Sequence, residues 1–162
     1  MHKIKKIGIV GQGFVGGSIN EFFKSKTETY TYDLNGNCNC DSLEELVEKS
    51  DLIFVCLPTQ MQRDGSCDLS IVKNCINDIF KIDKHSIAVI KSTVEPGTVE
   101  KLINQHGNQI IFNPEFLTEA NAVDDFNNQD RIILGGFGES LLNVESFFKE
   151  FFPKSKVVTC SP

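Results

Sequence analysis

Short apolar runs that scarcely alternate with polar residues recur along this chain, and they constrain the fold more than any other feature. Lys5 to Val10, Leu52 to Leu57, Ser86 to Ile90, Ile110 to Phe112 and Ile132 to Leu134 each have the length of a strand and no solvent-facing side. A strand with one wet face would alternate, so these runs must be buried on both faces, as in a parallel sheet between two helical layers. The segments between them carry helical spacing. Ile19, Phe22 and Phe23 share one face, as do Ile71, Val72, Cys75, Ile76, Ile79 and Phe80 at steps near three and four.

Local signals agree with that alternation. Thr29 to Tyr32 is a second strand, followed by a turn at Asn35-Gly36-Asn37. Ser42 and Glu45 form a capping box at the start of a short helix from Asp41 to Val47. Asp68 reads as the cap of the next helix, Pro96-Gly97-Thr98 starts another, and Gly107 stops it. Asn113 to Asp130 is long for a connection without structure, so it is expected to be functional or partly helical. A last helix from about Glu139 to Phe151 precedes a seventh strand at Val157-Val158. With 162 residues and 40% apolar content the chain suits one core. The expected fold is a single α/β domain, a doubly wound parallel sheet in three α/β/α layers.

The glycine run turns this fold into a functional reading. Gly11-Gln12-Gly13-Phe14-Val15-Gly16 is a G-x-G-x-x-G that directly follows the first strand and opens a helix. In that context Gly11 permits the tight turn, Gly13 lets backbone approach a pyrophosphate, and Gly16 lets helix and strand pack closely. The helix N-terminus offers unpaired N–H groups and partial positive charge to the phosphates. Asp33, at the end of the second strand, falls where the acidic residue of this Rossmann-type fingerprint is expected, about 20 residues on. Its carboxylate would accept the adenosine ribose hydroxyls and repel a 2′-phosphate, and no arginine in Leu34-Asn35 reverses that choice. The cofactor expected is NAD rather than NADP.

Composition excludes other classes. A formal charge of -6 argues against nucleic acid or an acidic membrane as partner, and Lys3, Lys5 and Lys6 read as a solvated chain start. No apolar run approaches the roughly 20 residues of a membrane span, and no signal peptide is seen, so a soluble cytoplasmic protein is expected. The six cysteines, Cys38, Cys40, Cys56, Cys67, Cys75 and Cys160, contain no C-x-x-C, and Cys38-Asn39-Cys40 lacks a second pair. Reduced thiols and no metal site are expected. The three histidines, His2, His85 and His106, offer no alternative catalytic set. Phe147, Phe148, Phe151 and Phe152 are read as two pairs that cannot share one core, leaving one pair for a partner.

Three further stretches exceed a generic dinucleotide fold. They are Leu57-Pro58-Thr59 with Asp64-Gly65-Ser66-Cys67-Asp68-Leu69-Ser70; Lys91-Ser92-Thr93-Val94-Glu95-Pro96-Gly97-Thr98; and Asn113-Pro114-Glu115-Phe116-Leu117-Thr118-Glu119, running on to Asp125-Phe126 and Asp130 to Gly135. In this order, with Phe14-Val15 inside the glycine loop, they resemble the N-terminal domain of the UDP-glucose/GDP-mannose dehydrogenase family. That family oxidises the C6 alcohol of a nucleotide sugar to a carboxylate with NAD. The resemblance implies cofactor contacts at Phe14, Val15, Pro58, Thr59, Ser92, Thr93 and Glu119, with Thr59 and Thr93 near the nicotinamide. It also implies a catalytic region of Thr93, Glu115 and Glu119 beside the sugar, where a carboxylate can orient or activate water.

Two departures from the family pattern bear on activity. Asp33 to Asp51 leaves room for only a short excursion between the second and third strands. Residues 1–162 cover only an NAD-binding domain; the family's central helix and C-terminal nucleotide-sugar domain, with its nucleophilic cysteine in a Gly-Gly-x-Cys-x-Pro-Lys context, are not in this sequence. Cys160 stands in no such context. The chain alone is therefore expected to be inactive, with a nucleotide sugar such as UDP-glucose bound only if a partner domain is supplied, and a homo-oligomer is expected through the uncovered surface. Two alternatives stand beside this reading: a stand-alone NAD- or nucleotide-binding module without turnover, and the cofactor domain of a β-hydroxyacid dehydrogenase relative.

Overall fold

A computed structural model describes residues 3–36 and 38–162; the readings made for His2 and Asn37 lie outside the described residues. The continuous apolar runs form the middle of one sheet. β1 (Lys6–Val10) is flanked by β2 (Glu28–Tyr32) and β3 (Leu52–Val55), and β3 and β4 (Ile87–Ile90) are buried at every position. β5 (Ile110–Phe112), β6 (Arg131–Gly135) and β7 (Lys156–Cys160) complete a 7-stranded sheet of order β2-β1-β3-β4-β5-β6-β7.

Successive residues of the buried strands supply opposite faces, as the pleat requires. Leu52 and Phe54 face a core with Ile7, Ile9 and Val89, covered by α1 (Phe14–Phe23), α5 (Ala122–Asn127) and α6 (Gly138–Phe151). Ile53 and Val55 face the other core with Val10 and Ile90, covered by α2 (Leu43–Lys49), α3 (Ser70–Ile82) and α4 (Thr98–His106). The three expected layers are thus present. Among the described residues, no helix is long and apolar enough to cross a membrane.

Caps follow the sequence with small shifts. The Ser42 hydroxyl accepts from the Glu45 amide at 3.2 Å, while Glu45 reaches back to the Asp41 amide, one residue beyond the cap itself, at 2.8 Å. Asp68 does not cap α3: the boundary residue is Leu69, and Asp68 accepts from the Ser70 amide at 2.9 Å in an Asx turn. Gly107 ends α4 with φ +103°, as a C-terminal glycine should.

Strand direction departs from the expectation of a wholly parallel sheet. β1 to β5 are parallel with their neighbours, and β6 is parallel to β7, but β6 runs antiparallel to β5 through the single pair Phe112↔Gly135. The long connection Asn113 to Asp130 does contain a 3-10 turn at Glu119–Asn121 and then α5, which packs on α1. It therefore provides no crossover along the sheet. In the register set by that pair, the rest of β6 lies opposite residues after Phe112, beyond the end of β5. The β6–β7 ribbon thus overhangs the edge at which the parallel strands end.

The four C-terminal phenylalanines also differ from expectation. Phe147, Phe148 and Phe152 are buried and Phe151 is half-buried against the same core. Positions 147 and 151, and 148 and 152, are helical i,i+4 neighbours, so all four form one broad stripe rather than two opposed pairs. They join Phe22, Phe23, Phe54 and Phe126 in one ring cluster. Phe23 alone lies within 6.5 Å, centroid to centroid, of six others, at 4.8 Å from Phe22 and 5.0 Å from Phe151. The pair held out for a partner is therefore spent internally. Phe23→Ala should cost about 3–5 kcal/mol in urea unfolding, as a buried phenylalanine deletion does; a loss below about 1 kcal/mol would show that the cluster does not bear stability.

Candidate functional site

Because β2 lies on one side of β1 and β3 on the other, the connections leaving β1 and β2 cover opposite faces of the sheet. A crevice opens at such a reversal, outside the carboxyl ends of the strands. Here it is a cleft of about 770 Å³. The glycine loop forms its floor. Gly11, with φ +92°, donates its amide to the Tyr32 carbonyl at 2.9 Å, which binds the loop to the end of β2. A Cβ on Gly16 would stand 1.9 Å from the Gly11 carbonyl oxygen, so the start of α1 presses directly on the turn. A Cβ on Gly13 would meet nothing within 4 Å. α1 has no acidic residue in its first turn and no side-chain cap, which leaves its first amides to an anion.

Asp33 is fixed at the same point. Its Oδ2 accepts from the Gln12 amide of the glycine loop at 2.6 Å and its Oδ1 from the Asn35 amide at 2.8 Å. Each carboxylate oxygen has a further lone pair, so acceptor capacity remains beside the cleft. Gly11, Gly13, Phe14, Val15 and Asp33 line the cleft, as do Pro58, Thr59, Ser92, Thr93 and Glu115. Gly16 lies beneath the loop rather than in the wall.

One expected residue lies outside the cleft, and another in its wall also has a structural role. The Ser92 hydroxyl accepts from the Leu57 amide at 3.0 Å and donates to the Val55 carbonyl at 3.4 Å, tying the ends of β3 and β4 together. Glu119 begins the 3-10 turn, exposed, and lines a smaller hollow with Phe14, Gly17 and Ser18 instead of the cleft. The chain turns there because both the amide and hydroxyl of Thr118 donate to Asp125, at 2.8 and 2.7 Å. Those bonds hold the Asp125 carboxyl below its usual range.

The structure adds residues to which sequence reasoning gave no role. Lys91 continues the buried run of β4 and is 4% exposed; its Nζ donates to Asn113 Oδ1 at 3.0 Å. Asn113 is itself buried, and its Nδ2 donates to the Ile133 carbonyl at 2.9 Å. A lysine directly after four apolar strand residues was the available signal. Desolvation lowers the Lys91 ammonium to about 8, against an opposing pull from Glu115. Burial raises the Glu115 carboxyl, while Lys91 and a hydrogen bond from the Leu117 backbone act in the opposite direction. Cys56 also lines the cleft, but burial pushes its thiol up to about 12, so it is protonated at neutral pH and no nucleophile. His106 stacks on Phe80 and bonds to Asn77 at 2.8 Å, a structural role joining α3 and α4.

The sequence profile of the UDP-glucose/GDP-mannose dehydrogenase family, NAD binding domain, matches residues 24–152. That match begins after the glycine loop, so the loop stands on its own geometry. The UDP-glucose 6-dehydrogenase of Haloferax volcanii is 31% identical over 175 residues, covering 80% of this chain and 40% of that protein. The UDP-glucose 6-dehydrogenase of Rickettsia bellii is 37% identical over 97 residues, covering 56% of this chain and 22% of that protein. Among solved structures, a UDP-glucose dehydrogenase from Pyrobaculum islandicum aligns with TM-score 0.82 at 23% identity, over 99% of this chain and 47% of that one. This last likeness is one of fold. The chain spans less than half the length of each of these relatives.

The lowered Lys91 value has a consequence for stability. Between about 8 and the ordinary lysine value of about 10.4, the unfolded chain binds a proton that the folded chain does not. Stability contributed by this group is therefore flat below that window and rises with pH through it. Urea unfolding of wild type and Lys91→Met should show wild type gaining on the variant between about pH 8 and about pH 10; a parallel pH dependence would refute the assignment.

Proposed function

The chain belongs to the UDP-glucose/GDP-mannose dehydrogenase family as an NAD-binding domain, and from that premise we propose that it holds NAD across the β1 switch point for a nucleotide-sugar 6-dehydrogenase. The pyrophosphate lies over Gly13 on the first turn of α1, and the adenosine ribose hydroxyls bond to Asp33. Phe14 and Val15 line the phosphate end. The nicotinamide end extends toward Pro58, Thr59, Ser92 and Thr93, with Glu115 beyond. Bound there, NAD supplies the hydride acceptor.

One observation carries this reading. The fold itself requires glycine at 11, for its φ, and at 16, for its contact with the turn, but it makes no such demand at 13. A glycine with open space above it, at the first turn of a helix free of acidic side chains, suits close approach by a phosphate. The two backbone bonds to Asp33 hold its charge rigidly beside the loop. A 2′-phosphate placed there would meet that charge.

The catalytic roles are proposed for Thr93, Glu115 and Glu119. Thr93 offers a hydroxyl near the nicotinamide. Glu115, held toward its neutral form by burial, can take a proton from a water when ionised. Glu119 enters only if a docked partner extends the site across the hollow beside Phe14. The coverage of relatives favours residues 1–162 as the cofactor half alone, with the nucleotide sugar and the nucleophile held by a second domain or polypeptide. A soluble cytoplasmic setting and self-association through the exposed Phe116 and Leu142 belong to the same proposal.

Calorimetric titration should show NAD binding to the chain and NADP binding weaker by about tenfold or more, about 1.4 kcal/mol. Gly13→Ala should unfold at the same urea concentration as wild type yet lose about tenfold or more in NAD affinity. Addition of UDP-glucose should give no absorbance at the NADH band. NAD binding that survives Gly13→Ala unchanged would refute the phosphate seat, and NADH formation by the chain alone would refute the division of labour.

A further inference from the structure

A second cavity of about 730 Å³ lies beyond the nicotinamide end of the cleft, between residues 114–118, α5 and the start of β6. It shares only Lys91 and Glu115 with the cofactor cleft. A cation and a carboxylate therefore make up the wall between two chambers whose other walls come from different elements. Lys91 is anchored in that wall by Asn113, and Asn113 by the Ile133 carbonyl, a chain of bonds spanning β4, β5 and β6. An ammonium has three donors, and the bond to Asn113 uses one. On the other side, Glu115 Oε2 is buried without a hydrogen-bond partner.

We propose that Lys91 is a positioning residue that keeps the Glu115 carboxylate ionised in the wall between the two cavities, ready to accept a proton from a water or hydroxyl group lying there. Burial by itself favours the neutral acid, which has no place for an incoming proton. A fixed ammonium in the same wall offsets that preference without coming from solvent or substrate. Among the described residues lining either cavity, Lys91 is the buried cation. Cys56, from the end of β3, stays protonated. Asp124, Asp125 and Asp130 on the second cavity bear the wrong sign, and Arg131 lies at the surface beside Asp130, 3.4 Å away. Asn113 explains why the ammonium stays put: it occupies the first position after the β5 ladder ends and continues the pairing to β6 through its side chain. Which ligand meets Glu115 rests on the cofactor reading above; the coupling of Lys91 to Glu115 does not.

The test is a titration followed by carbon-13 resonance in chains labelled at the Glu carboxyl and the Lys ε-carbon. Loss of one carboxyl line in Glu115→Gln identifies Glu115, and loss of one ε-carbon line in Lys91→Arg identifies Lys91. Lys91→Met should raise the Glu115 midpoint by about one unit or more, a tenfold change in its protonation, and Lys91→Arg should return it toward wild type. Because the coupling is reciprocal, Glu115→Gln should lower the Lys91 midpoint by a similar amount, and this arm does not depend on the folding of Lys91→Met. A Glu115 midpoint unmoved in Lys91→Met, or a Lys91 midpoint unmoved in Glu115→Gln, would overturn the proposal. NAD calorimetry on the same samples reads the cofactor seat separately: its failure with the midpoint shifts intact would remove the ligand from this account and leave the coupling.

Discussion

The reversal of winding at β1 governs the arrangement of everything else. Parallel strands joined by right-handed crossovers place each connecting helix on a face set by the direction of travel. Moving from β1 to β2 sends α1 to one face; moving back past β1 to β3 sends α2 to the other. The two connections part at the ends of β1 and β3, and the cleft is the space left between them. The glycine loop can occupy that space only because Gly16 allows α1 to start hard against the turn. Asp33 then links β2 to the loop through the Gln12 amide. A binding site is thus a by-product of topology, refined by two close backbone approaches.

Much of this was legible in the residues because it is local. Apolar runs without alternation marked β3 and β4 correctly, since burial on both faces leaves no room for a polar residue. Gly107 and Ser42 marked helix ends because their chemistry acts on neighbouring amides. The direction of β6 was not legible: Ile132-Ile133-Leu134 has the same composition whether it runs parallel or antiparallel, and only the path of Asn113 to Asp130 decides. The phenylalanine stripe could have been read from its i,i+4 spacing, but counting pairs obscured it. Glu119 illustrates a different limit. Sequence places it in the same motif as the cleft residue Glu115, yet a turn fixed by Thr118 and Asp125 gives it other surroundings. Lys91 was in plain view as a charged residue ending a buried strand, and its partner Asn113, more than twenty positions away, was not.

The site chemistry follows from removing water around charged groups. Lys91 and Glu115 both lose hydration, and each is pushed toward its neutral form. Their mutual attraction opposes this in both. The balance leaves the Lys91 ammonium easier to deprotonate than usual and the Glu115 carboxyl harder, in two groups that line the same two cavities. Perturbed groups of this kind cluster at functional sites, whereas the protonated thiol of Cys56 contributes bulk and no reactivity.

The single residue pair joining β5 to β6 has a consequence for temperature. Across β1 to β5 neighbouring strands are knitted by backbone hydrogen bonds, but the C-terminal ribbon shares one residue pair with β5 and depends more on side-chain burial, including phenyl rings of α6 packed on Phe23 of α1. Cohesion of that kind arises from water and weakens on cooling, while the ladder does not depend on it. The two parts of this one sheet therefore respond to cold in different ways, and the seam at Phe112, beside which Lys91 and Asn113 are anchored, is where a chilled molecule would first lose its register.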